Sequence, residues 1–469
     1  MSIVKLETGV PGLDTLTLGG IPEGRTTLVA GRSGTGKTIL GLQVATHLAS
    51  RGYPAVILGV EEAVDDLAET ARGLGFGADA LIAARALTFA DARPPVAGTT
   101  LVSGDYDLFG LVHRIEGYVR QIGAKVIVLD SITALFSPRP PEHLLRAHFL
   151  HLVQTFRRLG LTALILAEGA TAAHEFTALN VEDYLCDLVL VLRNVMDGER
   201  RRRSIEVHKY RRSAHYKGEY PCTITTRGLS IFPLDARERP EVEEMVRYSS
   251  GLPGLDEMTY GGWLRNSIML VRGPTGSGKT MLSGLYARAG ALRGERVVYY
   301  GFEEPRPILL RNFKQIGLDM TDMLAQGKLR VQFRYPEATS MEDLLIDLRV
   351  GLEEFEPELV VFDSISSIEH AMSEKGFRQF MIGLASLLRE HGRSALLTQT
   401  VAAGESSDQS APYLSTVADA ILAMDYSPHG VELDRTMRVI KMRGSGHETH
   451  PYRLFIESGG LRVQKIGET

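Results

Sequence analysis

The motif G-x-x-x-x-G-K-[ST] occurs twice in this chain, as Gly31-Arg32-Ser33-Gly34-Thr35-Gly36-Lys37-Thr38 and as Gly273-Pro274-Thr275-Gly276-Ser277-Gly278-Lys279-Thr280. Such a loop works only between a strand and a helix. Its glycines let successive backbone N–H groups turn inward on an anion, and the helix that follows points its positive end at the same place. The lysine adds a point charge for the β- and γ-phosphates, and the threonine hydroxyl reaches Mg²⁺. An apolar run precedes each copy, Thr27–Ala30 and Ile268–Val271, and a helix-like stretch follows.

The two lysines are 242 positions apart (279 − 37), and the flanks keep that offset. Gly9-Val-Pro-Gly-Leu-Asp14 returns as Gly251-Leu-Pro-Gly-Leu-Asp256, and Glu61-Glu62 returns as Glu303-Glu304. The offset then falls to 233 (363 − 130) between Val128-Leu-Asp-Ser-Ile132 and Val361-Phe-Asp-Ser-Ile365, and to 232 (441 − 209) between Lys209-Tyr-Arg211 and Lys441-Met-Arg443. A period this long means two whole domains, not a solenoid. The expected division is 1–234, a charged, proline-interrupted linker at 235–247, and 248–469.

In each half, apolar runs alternate with helical patterns: Thr27–Ala30, Ala55–Gly59, Leu87–Ala90, Val126–Leu129 and Ala163–Ala167, then Ile268–Val271, Val297–Tyr300, Leu329–Phe333, Leu359–Phe362 and Ala395–Thr398. This argues for an α/β fold, a mostly parallel sheet with helices on both faces. Each half closes with a hairpin, Leu188–Leu192 with Ser204–His208 and Ala420–Met424 with Met437–Lys441. A parallel core with appended antiparallel strands is the arrangement of RecA-type P-loop ATPase cores.

Asp130 and Asp363 end apolar strands, where a carboxylate can hold the Mg²⁺ shell. Glu61 and Glu303 are candidate bases beside the γ-phosphate; Glu62 and Glu304 are either further catalytic carboxylates or helix first-turn acids suited to the dipole. The metal set is thus Thr38 and Asp130, with Thr280, Glu303 and Asp363 in the second half. Lys209/Arg211 and Lys441/Arg443 share a strand face in each half. They are either solvated edge charges or cations offered to a nucleotide on a neighbouring subunit. Arg200–Arg203 reads as a solvated turn or an interface stripe.

A net charge of −5 carries no nucleic-acid footprint, so nucleic acid is not expected as a partner. Cys186 and Cys222, alone, exclude a disulfide scaffold and fit a reducing cytoplasm. The N-terminus lacks a signal-peptide core, and no apolar stretch reaches membrane-span length.

Several segments resemble the KaiC family of double-domain ATPases and autokinases: Val191-Leu-Arg-Asn-Val-Met-Asp-Gly-Glu-Arg-Arg-Arg-Arg203, Tyr216–Pro221, Leu309–Asn312, Phe377–Phe380 and Lys441-Met-Arg-Gly-Ser445. The resemblance covers nearly the whole chain. It implies an ATPase ring from the first domain and a kinase and phosphatase ring from the second, stacked as a homohexameric double ring that binds ATP and Mg²⁺ at subunit interfaces. It extends the nucleotide contacts to Tyr210, Ser213, His215, Met442, Gly444 and Ser445, and makes Ser415 and Thr416 the phosphoacceptors, with Ser410 where the family has another threonine. It allows a KaiB-like partner at Ala90–Leu108; the family's KaiA-grasped tail has no counterpart after Thr469, so that activator is not expected. Arg212 stands for a family glycine, and Gln315 for an aromatic near the adenine. Two other classes stay open: a RecA-like DNA-dependent ATPase, and a nucleotide-assembled scaffold with little turnover.

Overall fold

The structure, a computed structural model, describes residues 3–93, 108–136, 141–169, 185–197, 200–233, 246–338, 340–401, 412–429, 432–457 and 460–466. Most of the expected linker, most of the Ala90–Leu108 stretch and Ser410 lie outside them. The chain divides into two compact units, Met1–Pro233 and Leu234–Thr469.

The first unit is built on a nine-stranded sheet. Its strands are β1 (Thr26–Gly31), β2 (Ala55–Gly59), β3 (Leu87–Asp91), β4 (Val126–Asp130), β5 (Thr162–Glu168), β6 (Leu188–Asp197), β7 (Arg200–Tyr210), β8 (Glu219–Thr225) and β9 (Gly228–Ile231). The spatial order is β9-β8-β7-β6-β1-β5-β4-β2-β3. Every pairing from β3 across to β6 is parallel, and β6 through β9 are antiparallel. Alternate residues of the central strands enter opposite cores. Val29, Ile57 and Val128 pack with Leu40, Val44 and Leu48 of helix α1 (Lys37–Ser50). Leu28, Val56 and Ile127 pack with Ile115 of α2 (Leu108–Ile122) and Phe149 and Phe156 of α3 (Glu142–Arg158). Burial on both faces is why these strands read as unbroken apolar runs.

The second unit repeats the plan with β10 (Ile268–Gly273), β11 (Val297–Gly301), β12 (Leu329–Phe333), β13 (Leu359–Asp363), β14 (Ser394–Thr400), β15 (Ala420–His429), β16 (Glu432–Met442), β17 (Tyr452–Glu457) and β18 (Gly460–Lys465). Its order is β12-β11-β13-β14-β10-β15-β16-β17-β18, parallel from β12 to β15 and antiparallel from β15 to β18. The helices that matter below are α4 (Lys279–Leu292), α5 (Arg306–Gln315), α6 (Ile365–His370), α7 (Glu374–Glu390) and α8 (Pro412–Val417). Both units are RecA-like α/β domains. Among the described residues no helix is long and apolar enough to cross a membrane.

Candidate nucleotide sites

Each P-loop sits where the central parallel strand hands over to a helix, β1 to α1 and β10 to α4. Gly36 and Gly278 are the residues just before those helices, at φ of 103° and 105°. A side chain is strained there. At Gly36 a Cβ would also come within 2.8 Å of Ile224. In the first unit the loop opens on a cleft of about 550 Å³ whose walls include Lys37, Thr38, Glu61, Glu62, Asp130 and Arg203. Ser33, Gly34 and Gly36 line it too, while the Thr35 hydroxyl turns back to Arg32 O at 2.8 Å and braces the loop.

The lysines are folded over their own loops. Lys37 Nζ donates to Arg32 O at 3.1 Å, and Lys279 Nζ donates to Gly273 O and Pro274 O at 2.8 and 2.9 Å. Burial pulls both ammonium groups below their ordinary value, and the nearby carboxylates oppose that pull. Burial pushes Asp130 and Asp363 above the usual carboxylate range, against hydrogen bonds from Thr38 and Thr280 respectively. Asp130 Oδ2 is buried with no hydrogen-bond partner among the described residues. An orphaned carboxylate oxygen beside a threonine hydroxyl is a hard oxygen donor set, and it fits a Mg²⁺ shell.

The glutamates differ. Ser131 Oγ donates to Glu61 Oε2 at 3.2 Å, so Glu61 stands beside Asp130. Ser364 and Ser367 both donate to Glu303 Oε1, the second at 3.2 Å. Glu62 also lines the first cleft, its carboxyl pushed up by burial and by Asp130 and Glu61. Glu304 is instead held sideways by Asn312 Nδ2 at 2.9 Å. In both copies the peptide bond after the aspartate, Asp130–Ser131 and Asp363–Ser364, is cis.

The cations expected to complete the sites do not meet their own P-loops. Lys441 pairs with Ile421, and Ile421 with Leu270, near the start of β10; the P-loop lies beyond its end. The part of β16 that does reach the loop is Arg435, whose Nε donates to Gly276 O at 3.1 Å. Lys441 is six residues further along this strand, about 20 Å away. The first unit matches: Lys209 pairs with Val189 and Val189 with Leu28, whereas Arg203 lines the cleft, opposite Asn194, whose Nδ2 donates to Gly34 O at 3.3 Å. Arg203 and Arg435 are therefore the cations at their own loops. Arg203 was hidden in the Arg200–Arg203 run, which lies on β7 and is not a turn. Alternation along β7 could have separated it from Arg202.

At the far edge Lys441 Nζ donates to Ser415 O and to Ala418 O, the latter at 2.7 Å. Arg443 donates to Thr416 O at 2.9 Å, and Arg389 of α7 to Val417 O at 2.8 Å. The carbonyl end of α8 is thus gathered by three cations, as a helix C-terminus favours. Asp419 sits below them, its Oδ1 3.7 Å from Arg389 and 3.6 Å from Arg443. Ser415 is half-buried and Thr416 exposed. Met442 and Tyr210 are core residues, the Tyr210 hydroxyl donating to Gly20 O at 3.0 Å. Ser445 Oγ accepts from Arg247 and donates to Gly446 O, and Ser213 Oγ donates to Ala214 O. His215 is half-buried beside it. Arg212 adopts φ 63° where Gly444 adopts 74°, so the arginine takes the glycine's left-handed turn.

A sequence profile of the family described as ATPase: KaiC matches residues 6–236 and again 248–468. The circadian clock protein KaiC3 of Synechocystis sp. is 38% identical over 466 residues, covering 99% of this chain and 92% of that protein. The circadian clock oscillator protein KaiC of Picosynechococcus sp. is 36% identical over 466 residues, 98% of this chain and 90% of that protein.

Proposed function

This chain belongs to the KaiC ATPase family, and on that premise we propose that it hydrolyses ATP in both units and, in the second, passes the γ-phosphoryl group to Ser415 or Thr416 of a neighbouring copy. The observation that carries the reading is the far-edge cluster. Ser415, Thr416, Lys441 and Arg443 stand together at the end of the sheet away from their own P-loop. About 20 Å along β16 separates Lys441 from the cation at that loop. Within one copy the hydroxyls and the nucleotide cannot react. A second copy docked edge to loop supplies both. Such a contact is heterologous, and when its rotation closes it makes a ring; the resemblance to the KaiC family implies six copies.

Each residue then has a task. The P-loop amides with Lys279 hold the β- and γ-phosphates, and Arg435 covers them from the same copy. Thr280 and Asp363 would hold Mg²⁺, which when bound neutralises phosphate charge. Glu303, fixed by Ser364 and Ser367, accepts the proton of the incoming hydroxyl. The hydroxyl oxygen bonds to the γ-phosphorus, the bridge to the β-phosphate breaks, and ADP leaves with the electron pair. Lys441 and Arg443 of the neighbour stabilise the charge that develops. In the first unit Glu61 orients water instead, and hydrolysis results. The phosphorylated state is the signal, and a KaiB-like protein docking on the first unit would read it.

Incubating the full-length protein with γ-labelled ATP and mapping label by peptide mass spectrometry tests this. Label on Ser415 or Thr416, lost in the Ser415→Ala/Thr416→Ala variant, is expected. Phosphate release with no label on protein would leave an ATPase and remove the kinase; DNA-stimulated turnover would indicate a motor.

A further inference from the structure

We propose that Tyr299 is a positioning residue of the second nucleotide site: it holds the Asp363 carboxylate from behind through a buried chain of hydroxyls that the first site lacks, and so sets the second site's affinity for its divalent cation. Tyr299 Oη donates to Asp363 Oδ2 at 2.6 Å. Thr398 of β14 donates to Asp363 Oδ1. Ser283, on the first turns of α4, meets Tyr299 Oη at 2.8 Å and Thr280 O at the same distance. Tyr299 gives its one phenolic proton to Asp363, and the one proton of Ser283 is shared between Tyr299 Oη and Thr280 O. The ring is fully buried and edge-on to Phe313, with centroids 5.8 Å apart, so it has no second place to go. The chain joins the metal-facing aspartate to the helix that carries Thr280.

Among the described residues the first unit has no counterpart of this chain. Ile57 occupies the place of Tyr299, Leu166 that of Thr398 and Gly41 that of Ser283. All three are buried, and a Cβ on Gly41 would stand 3.0 Å from Val128. At these places the side chains behind Asp130 are hydrocarbon or absent. A carboxylate oxygen has two acceptor directions. In the second site each oxygen spends one on a buried hydroxyl, which fixes the plane of the group and leaves the other direction forward. Removing such a bond behind a metal ligand typically costs about 10- to 100-fold in metal affinity.

The inference rests on the reading that Asp363 holds the metal, and the test separates the two. Full-length protein carrying Lys37→Ala, which silences the first P-loop, is titrated with Mg²⁺ while binding of a fluorescent ATP analogue is followed. Tyr299→Phe is expected to raise the Mg²⁺ midpoint about 10- to 100-fold, with nucleotide affinity at saturating Mg²⁺ changed by less than about twofold. Thr398→Val raises it likewise, and Thr398→Ser, which keeps the hydroxyl, restores the parental midpoint. Thr398→Val carries the same test where Tyr299→Phe does not fold. A parental midpoint in the hydroxyl-deleted variants, with a shifted one in Asp363→Asn, overturns the role of Tyr299. An unshifted midpoint in Asp363→Asn overturns the metal reading and the inference together.

Discussion

Replacing Lys441 with methionine keeps the side-chain stem and removes the ammonium that ties β16 to the end of α8. Two bonds are lost, to Ser415 O and to Ala418 O. Hydrogen bonds to charged groups contribute about 1.5 kcal/mol each at the lower end of their range, so about 3 kcal/mol together. Releasing a pinned, half-buried lysine returns about 1–1.5 kcal/mol of side-chain entropy. The net is about 1.5–2 kcal/mol, or about a 10- to 30-fold rise in local opening. The Ala418 amide reports it, because it donates to Leu414 O across the last turn of α8 at 2.9 Å. Hydrogen exchange at Ala418 should quicken by that factor. The Ala395 amide, bonded to Ser267 O in the sheet core at 2.9 Å, should not change. Unchanged exchange at Ala418 would mean that Arg389 and Arg443 hold the helix end alone, and the account of this cluster would be wrong.

Three further perturbations have defined outcomes. Gly278→Ala places a side chain at φ 105° and 3.1 Å from Ile456; a cost of about 1–2 kcal/mol should weaken ATP binding about 5- to 30-fold by calorimetry, with helix content unchanged. Glu61→Gln, measured by phosphate release in a Lys279→Ala background, should slow hydrolysis about 10²- to 10⁴-fold while ATP still binds. Asp419→Ala removes the acceptor for the Ile268 amide at 3.0 Å and the anion between Arg389 and Arg443; a cost of about 1–3 kcal/mol should lower the second unit's melting temperature by about 2–10 °C in calorimetry.

Much of this was legible in the sequence. Strands buried on both faces announce themselves as apolar runs, and the P-loops carry their own backbone chemistry, so Thr27–Ala30 and Ile268–Val271 lie within β1 and β10. The Asp130 and Asp363 strand ends were readable for the same reason. What the pattern did not give was which end of a strand faces which nucleotide. Arg203 and Lys209 share one strand, as do Arg435 and Lys441, and only the register of the sheet sends one to its own loop and the other to the far edge. The sequence leaves Glu304 open between a further catalytic acid and a helix first-turn acid; in the structure its carboxylate accepts from Asn312 Nδ2, on the helix that follows it. Tyr299 was invisible because a tyrosine in an apolar strand reads as core; its hydroxyl matters only through the neighbouring strand that ends in Asp363.

The central claim is that one copy's nucleotide serves another copy's far edge. Mixing two variants tests it most directly: one chain with Lys279→Ala, which cannot hold ATP in its second site, and one with Ser415→Ala/Thr416→Ala, which cannot accept phosphate. With γ-labelled ATP, neither alone should label at these positions, and the mixture should label Ser415 or Thr416 of the Lys279→Ala chain. A mixture that stays unlabelled there, while the unmodified protein labels itself under the same conditions, would contradict it.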